Sequence, residues 1–232
     1  MAIPQYEGTF VQIEKLSPSV KHFVLELDKE IDFKAGQFVN LMIEHEGQHL
    51  MKPYSICSSP GSKKKLELCI KLVESGRFTP SLFQKKVGDK ALIRGPFGLF
   101  TLDKASKEKL VFIGTGTGIT PFRSMIKDLL EKNSETEISL IFGCRYEGEL
   151  LYKSEFEELA GKFPNFRFFP LVSRPTEEWN GRKGHVQDNF EVIDITQSEV
   201  YICGLPIMVE EATKKLLELG MDKAQIHHEK FI

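Results

Sequence analysis

The chain begins MAIPQYEGTFVQIEKL, without the basic start and long apolar run of a secretion signal. Nowhere does it approach the ~18 to 20 consecutive apolar residues that a membrane-crossing helix needs. A cytoplasmic protein is therefore the expectation. Its four cysteines, Cys57, Cys69, Cys144 and Cys203, stand far apart with no CxxC pair. That spacing argues against a zinc site or an iron-sulfur cluster made by this chain, and each cysteine is expected as a small buried hydrophobe unless a motif around it says otherwise. Neither charge sign dominates: 31 Lys and Arg against 33 Asp and Glu leave a formal net charge of -2. No global basic field exists to recruit nucleic acid or anionic lipid, and the lysine run at 63 to 65 reads as a solvated loop. There is no internal repeat and no low-complexity tract.

What is present is ordinary globular composition, 41% apolar and 28% charged over 232 residues. Such a length suits one large domain or, preferably, two modest ones. The pattern changes near residue 103. Before it, GTFVQIEKL, KHFVLELD, QFVNLMIE, LELCIKLV and KALIRG are short β-prone segments separated by Gly, Pro, Ser or Asp. They predict an antiparallel barrel or sandwich over residues 1 to 102. After it, KLVFIGTG, EISLIFGCR, FRFFPLVS and EVYICG alternate with helical patterns. Alternation of that kind predicts an α/β domain with a parallel sheet over 103 to 232, the segment 101 to 109 serving as linker.

The strongest local signal is KLVFIGTGTGITPFRSMIKDLLEK. A strand runs into glycines at 114, 116 and 118, and a helix is expected with Thr120 as N-cap and Pro121 at its first position. Glycines admit close backbone approach, and a helix start presents N–H groups to phosphate. GxGxG is not the GxGxxG fingerprint, so a plain strand-to-helix turn remains an alternative, whereas the triphosphatase loop is excluded for want of GK[ST]. In YICGLPIMVEEA, Cys203 and Gly204 fall where a parallel strand ends, with an exposed Cys203 side chain expected. GRFTPSLF offers a second phosphate cradle, and GPFGLF reads as a tight connection. The adjacent histidines of IHHEKFI point to opposite strand faces and lack metal-ligand spacing.

Taken in order, KPYSICSSP, IKLVESGRFTPSLF, GPFGLF, GTGTGITPF, CGLPIMV and a terminal EKF resemble the ferredoxin-NADP reductase superfamily of flavoproteins across nearly the whole chain. The resemblance implies a flavin-binding β-barrel followed by a nucleotide-binding α/β domain, with FAD and NAD(P)H as cofactors. It assigns Tyr54, after Pro53, to stacking on the flavin and Ser55 to a hydrogen bond near its N5. Lys52 stands where the family carries an arginine for the flavin phosphate, a compact charge replacing a bidentate one. Ile70, Lys71, Leu72 and Val73 would line the flavin, and Gly76, Phe78 and Thr79 would surround its pyrophosphate. Gly114, Thr115, Gly116 and Thr117 would meet the nicotinamide dinucleotide. Cys203, Gly204 and Glu229 would lie beside its nicotinamide, and Phe231 would cover the flavin, with Ile232 following it.

The implied chemistry is hydride transfer from NAD(P)H to FAD and electron release to a separate protein acceptor, a ferredoxin, flavodoxin or oxygenase component. Ser55, Cys203 and Glu229 would align and tune this transfer. In LVSRPTEEWNGRKGHV, Ser173, Arg174, Arg182 and Lys183 suit a ribose phosphate, which places NADPH ahead of NADH, although relatives using NADH also carry Ser-Arg-Pro. The other readings are a flavin reductase that releases reduced flavin and an accessory subunit that holds FAD in a larger complex. Accessory subunits of that kind carry clustered late cysteines, whereas only Cys203 falls in the last 80 residues here.

Overall fold

The computed structural model describes residues 3–104, 108–193, 195 and 197–231. They form two six-stranded sheets of opposite character. The first holds β1 (Gln5–Ser17), β2 (Val20–Leu27), β3 (Phe38–His45), β4 (Gln48–Ser55), β5 (Lys65–Lys71) and β6 (Lys90–Phe97), with a short helix α1 (Phe78–Phe83). Its order is β4-β3-β6-β1-β2-β5, antiparallel throughout. A bridge from Ile56, just past β4, to Leu68 in the middle of β5 links the two outer strands. Strand alternation explains the core: in β6, Ala91 and Ile93 point inward while Lys90 is exposed. Phe10 and Phe23 meet edge to face at 5.7 Å, each fully buried. Burying one such side chain contributes roughly 1.5–3 kcal/mol.

The second sheet holds β7 (Lys109–Thr115), β8 (Glu137–Cys144), β9 (Phe166–Val172), β10 (Arg182–Lys183), β11 (Ser198–Gly204) and β12 (Ile226–Lys230). Helices α2 (Ile119–Glu131), α3 (Lys153–Lys162) and α4 (Pro206–Glu218) connect them. All its pairings are parallel, in the order β10-β9-β8-β7-β11-β12. The chain therefore steps outward from β7 to β10, then returns to lay β11 against the other side of β7. That reversal is a switch point, where open α/β sheets leave a crevice at the carboxyl ends of their strands. Every residue of β11 is buried, as a central strand covered on both faces requires.

Contacts divide the chain into one compact unit running through Leu102 together with Arg123–Asp128, and another comprising Asp103–Phe122 and the remainder from Leu129. Of the expected linker, residues 105 to 107 lie outside the described residues. The helix after the glycine loop starts earlier than expected. A 3₁₀ turn at Gly116–Gly118 runs into α2 at Ile119, so Thr120 is an interior helical residue and not an N-cap. Its hydroxyl donates backward to the Thr117 carbonyl at 2.6 Å. The connection expected at GPFGLF is partly strand, because β6 continues through Phe97.

Candidate functional site

In the first unit, β4 carries the sequence KPYS. Pro53 falls on an outer strand with one neighbour, the setting in which a sheet accepts proline. Period-two alternation places Gln48, Leu50, Lys52 and Tyr54 on one face. Tyr54 is half-buried, its ring 5.6 Å from that of Phe78, and burial pushes its hydroxyl pKa upward. Ser55 is buried at the end of the strand, and Lys52 is exposed. From β5, Ile70 sends its side chain into the barrel core, so only its backbone is available to a ligand. Lys71 is exposed, Leu72 N–H donates to Ser19 O at 2.7 Å, and Val73 is exposed.

The loop from Val73 to α1 is shaped by Thr79. Its hydroxyl accepts from Val73 N–H at 2.9 Å and donates to Val73 O at 3.1 Å. A hydroxyl has one proton to donate, and this one is committed. Thr79 thus acts on the loop's shape, and its hydroxyl has no proton left for a phosphate while the loop is closed. Gly76 N–H also returns to Val73 O at 2.9 Å. Arg77, which the sequence reading passed over, follows Gly76 and directs Nη2 to Gln48 Oε1 at 3.2 Å.

In the second unit, Gly114 and Thr115 end β7 and Gly116 and Thr117 form the turn before α2. Gly118 packs so closely on the end of β11 that an added Cβ would overlap the Cys203 carbonyl group, 2.6 Å from its carbon. Gly204 has φ +154, and a Cβ there would sit 2.5 Å from Thr115 Oγ1 and 2.6 Å from Met208 Cε. The two backbones can approach only because both residues are glycine. Thr115 Oγ1 is buried with no hydrogen-bond partner.

Beside this cradle, parallel register pairs Cys203 with Glu229. The expectation of an exposed Cys203 was wrong: it is fully buried, because the strand continues through Gly204 and the 116 to 118 turn covers it. Burial, then the Glu229 carboxylate, raise its thiol well above the usual range, so sulfur stays protonated and is no nucleophile. Burial also raises Glu229, whose Oε2 has no partner. Phe231 N–H donates to Gly204 O at 2.9 Å, holding the end of the chain beside the same residues. Ile232 lies outside the described residues.

Further along the same sheet edge, Ser173 N–H donates to Cys144 O and Arg174 N–H to Arg145 O, at 3.0 and 2.8 Å. These bonds set Ser173 and Arg174 beside Arg145, a cation that motif reading missed because it follows β8 without a local signature. Lys183 and Arg182 form β10 against β9. Acid is present as well: Glu147 accepts from Thr176 N–H at 2.6 Å and from its hydroxyl at 2.9 Å, and backbone hydrogen bonds lower its pKa.

Residues 7–102 match an oxidoreductase FAD-binding domain, and residues 112–214 an oxidoreductase NAD-binding domain. The chain is 32% identical over 237 residues to ferredoxin–NADP reductase B of Sorangium cellulosum, covering 97% of each. The chain belongs to the ferredoxin–NADP reductase superfamily. It is also 34% identical over 239 residues to the phenol hydroxylase P5 protein of Acinetobacter pittii, covering 99% of this chain and 66% of that one. The crystal structure of the Amycolatopsis cytochrome P450 reductase GcoB superposes with a TM-score of 0.89 at 29% identity, covering 99% of this chain and 70% of that one.

As a member of this superfamily, the chain has an FAD-binding and an NAD-binding domain, and its residues fit both groups. The unpartnered Thr115 Oγ1, the open space over Gly116, where an added Cβ would meet nothing within 4 Å, and the cations and half-buried aromatic on β4 and its loop are the fitting features. A separate cluster is structural. His22, Cys57 and Glu67 bring three metal-binding side chains within 4.8 Å of one another. However, Arg123 Nη1 sits on Glu67 Oε2 at 2.5 Å, the oxygen that also faces His22, so a guanidinium already balances that charge. Burial raises the Glu67 pKa, and Arg123, then His22, more than offset it, leaving a net lowering.

Proposed function

We propose that the chain is an NAD(P)H-dependent FAD reductase that passes electrons to a separate protein acceptor such as a ferredoxin, flavodoxin or oxygenase component. Residues 1 to 102 hold the flavin and 103 to 232 the nicotinamide dinucleotide. When bound, the nicotinamide supplies a hydride and the flavin converts it to transferable electrons. The observation that carries the reading is the register pairing of Cys203 with Glu229 beside Gly118 and Gly204, with burial raising the pKa of both side chains. In the first unit Tyr54 stacks the ring, Ser55 orients it, and Lys52 meets phosphate. Gly114, Thr115, Gly116 and Thr117 take the dinucleotide pyrophosphate, while Cys203, Gly204, Glu229 and Phe231 define the nicotinamide pocket. Restricting two rings to near-attack geometry can remove on the order of 7–11 kcal/mol of barrier.

Steady reduction of an artificial acceptor by the FAD-loaded chain and NAD(P)H tests this reading. Turnover supports a reductase; bound FAD without turnover supports the accessory subunit. For the donor, Ser173, Arg174, Lys183 and the neighbouring Arg145 favour NADPH, because guanidinium groups match a phosphate bidentately. A second reading, NADH, is favoured by Glu147, whose carboxylate opposes a 2′-phosphate and suits a free ribose hydroxyl. The cytoplasm is the compartment this reading assigns, supported by four free cysteines and by the lack, among the described residues, of a helix long and apolar enough to cross a membrane.

A further inference from the structure

We propose that Arg77 is a specificity residue of the flavin site: it supplies the bidentate cation that Lys52 lacks and makes the site prefer FAD to FMN. The inference rests on the flavin-binding reading of the first unit. Helix α1 has only six residues, so its dipole offers little to an anion, and the charge must come from side chains. Two cations border the same face of β4. Lys52 lies two residues, ~7 Å, from Tyr54 and four residues, ~13 Å, from Gln48. Arg77 approaches that face from the opposite wall: its neighbour Phe78 contacts Tyr54, and its own Nη2 reaches Gln48 Oε1 at 3.2 Å. Its reach therefore runs from the Tyr54 end of the face, where the flavin ring is placed, to the Gln48 end beyond Lys52.

Gln48 orients this guanidinium without neutralising it. An amide oxygen carries no charge and occupies one of five N–H donors. Among the described residues no carboxylate is paired with Arg77. Its placement, past Lys52 on the side away from the ring, suits the part of FAD that lies beyond the first phosphate, the second phosphate and the adenylate it carries. FMN ends at its first phosphate; FAD continues through a second to an adenylate. Arg77 therefore contributes to FAD binding, little to FMN binding, and nothing to riboflavin binding.

The test is fluorescence titration of the full chain, freed of flavin, with FAD, FMN and riboflavin, comparing wild type with Arg77→Ala, Arg77→Lys and Lys52→Arg. Arg77→Ala should raise the FAD Kd roughly tenfold or more, the scale of a lost charge-assisted contact. FMN affinity should change far less and riboflavin affinity not at all, so the FAD preference collapses. Arg77→Lys should restore part of it, and Lys52→Arg should tighten FAD and FMN together. Wild-type binding of FAD with an unchanged FAD-to-FMN ratio in Arg77→Ala would overturn the assignment while leaving the flavin reading intact. Equal weakening of all three flavins, riboflavin included, would make Arg77 a packing residue and overturn it as well. Failure of wild type to bind any flavin would instead defeat the reading on which it rests.

Discussion

Two loops that we propose as anion cradles follow strands in this molecule, and they are built of different materials. In the second unit the loop after β7 exposes backbone: glycines at 114, 116 and 118 lead into a thirteen-residue helix, and Gly118 and Gly204 bring two chain segments into contact. In the first unit the loop after β5 is shaped by the Thr79 hydroxyl together with backbone bonds, leads into a six-residue helix, and is flanked by Lys52 and Arg77. The backbone contact at Gly118 and Gly204 is intolerant of an added side chain but indifferent to side-chain charge. A side-chain cradle tolerates substitution sterically and is tuned by it. The departure from arginine at position 52 could therefore be offset elsewhere in the first cradle, in a way the second does not permit.

The largest expected effect comes from the charge network inside the first unit. Glu67→Gln breaks a buried ion pair by removing the carboxylate from Arg123 and should cost about 3–5 kcal/mol in urea unfolding, whereas replacing both by methionine should cost less. Because the Glu67 pKa is lowered on folding, its contribution is present above the ordinary 4.5 and disappears as pH falls through the lower folded value. Wild type should thus lose stability over that acid range, and Glu67→Gln should show a flatter profile there; parallel profiles would remove the pair from the account.

Next comes Gly118→Ala, which overpacks the second cradle against Cys203. It should destabilise by about 1–3 kcal/mol and abolish measurable dinucleotide binding while flavin titration remains normal. Arg174→Ala should raise KM for NADPH by roughly ten- to a hundredfold and leave NADH nearly unaffected, the loss of one charge-assisted contact. Equal effects on both donors would reject its role in reading the phosphate. The smallest change is expected in the first cradle from Tyr54→Ala, a loss of about 0.5–1.5 kcal/mol of stacking, seen as weaker flavin retention or a shifted flavin absorbance. An unchanged spectrum and affinity would take Tyr54 out of the site.

The same contrast governs how much could be read from sequence. The β-prone segments of the first half and the alternation of strands with helices in the second are local signals, and the antiparallel and parallel sheets appear where those patterns put them. Local signals also misled. Thr120 resembled an N-cap because a 3₁₀ turn, invisible to the helical period, had already started the helix. Cys203 looked exposed because the end of β11 is covered by a turn some 85 residues earlier in the chain. Arg123 with Glu67, 56 residues apart, and Arg145 with Arg174 are long-range pairs that no spacing announces. Arg77 stood within a recognised motif, yet its significance needed the Gln48 contact across 29 residues.

The most direct test of the central claim is an anaerobic absorbance titration of the FAD-loaded protein with NADPH and, in parallel, with NADH. The account predicts that a bound-flavin spectrum bleaches stoichiometrically and at lower concentrations of NADPH than of NADH. A bound flavin that neither donor reduces would contradict it.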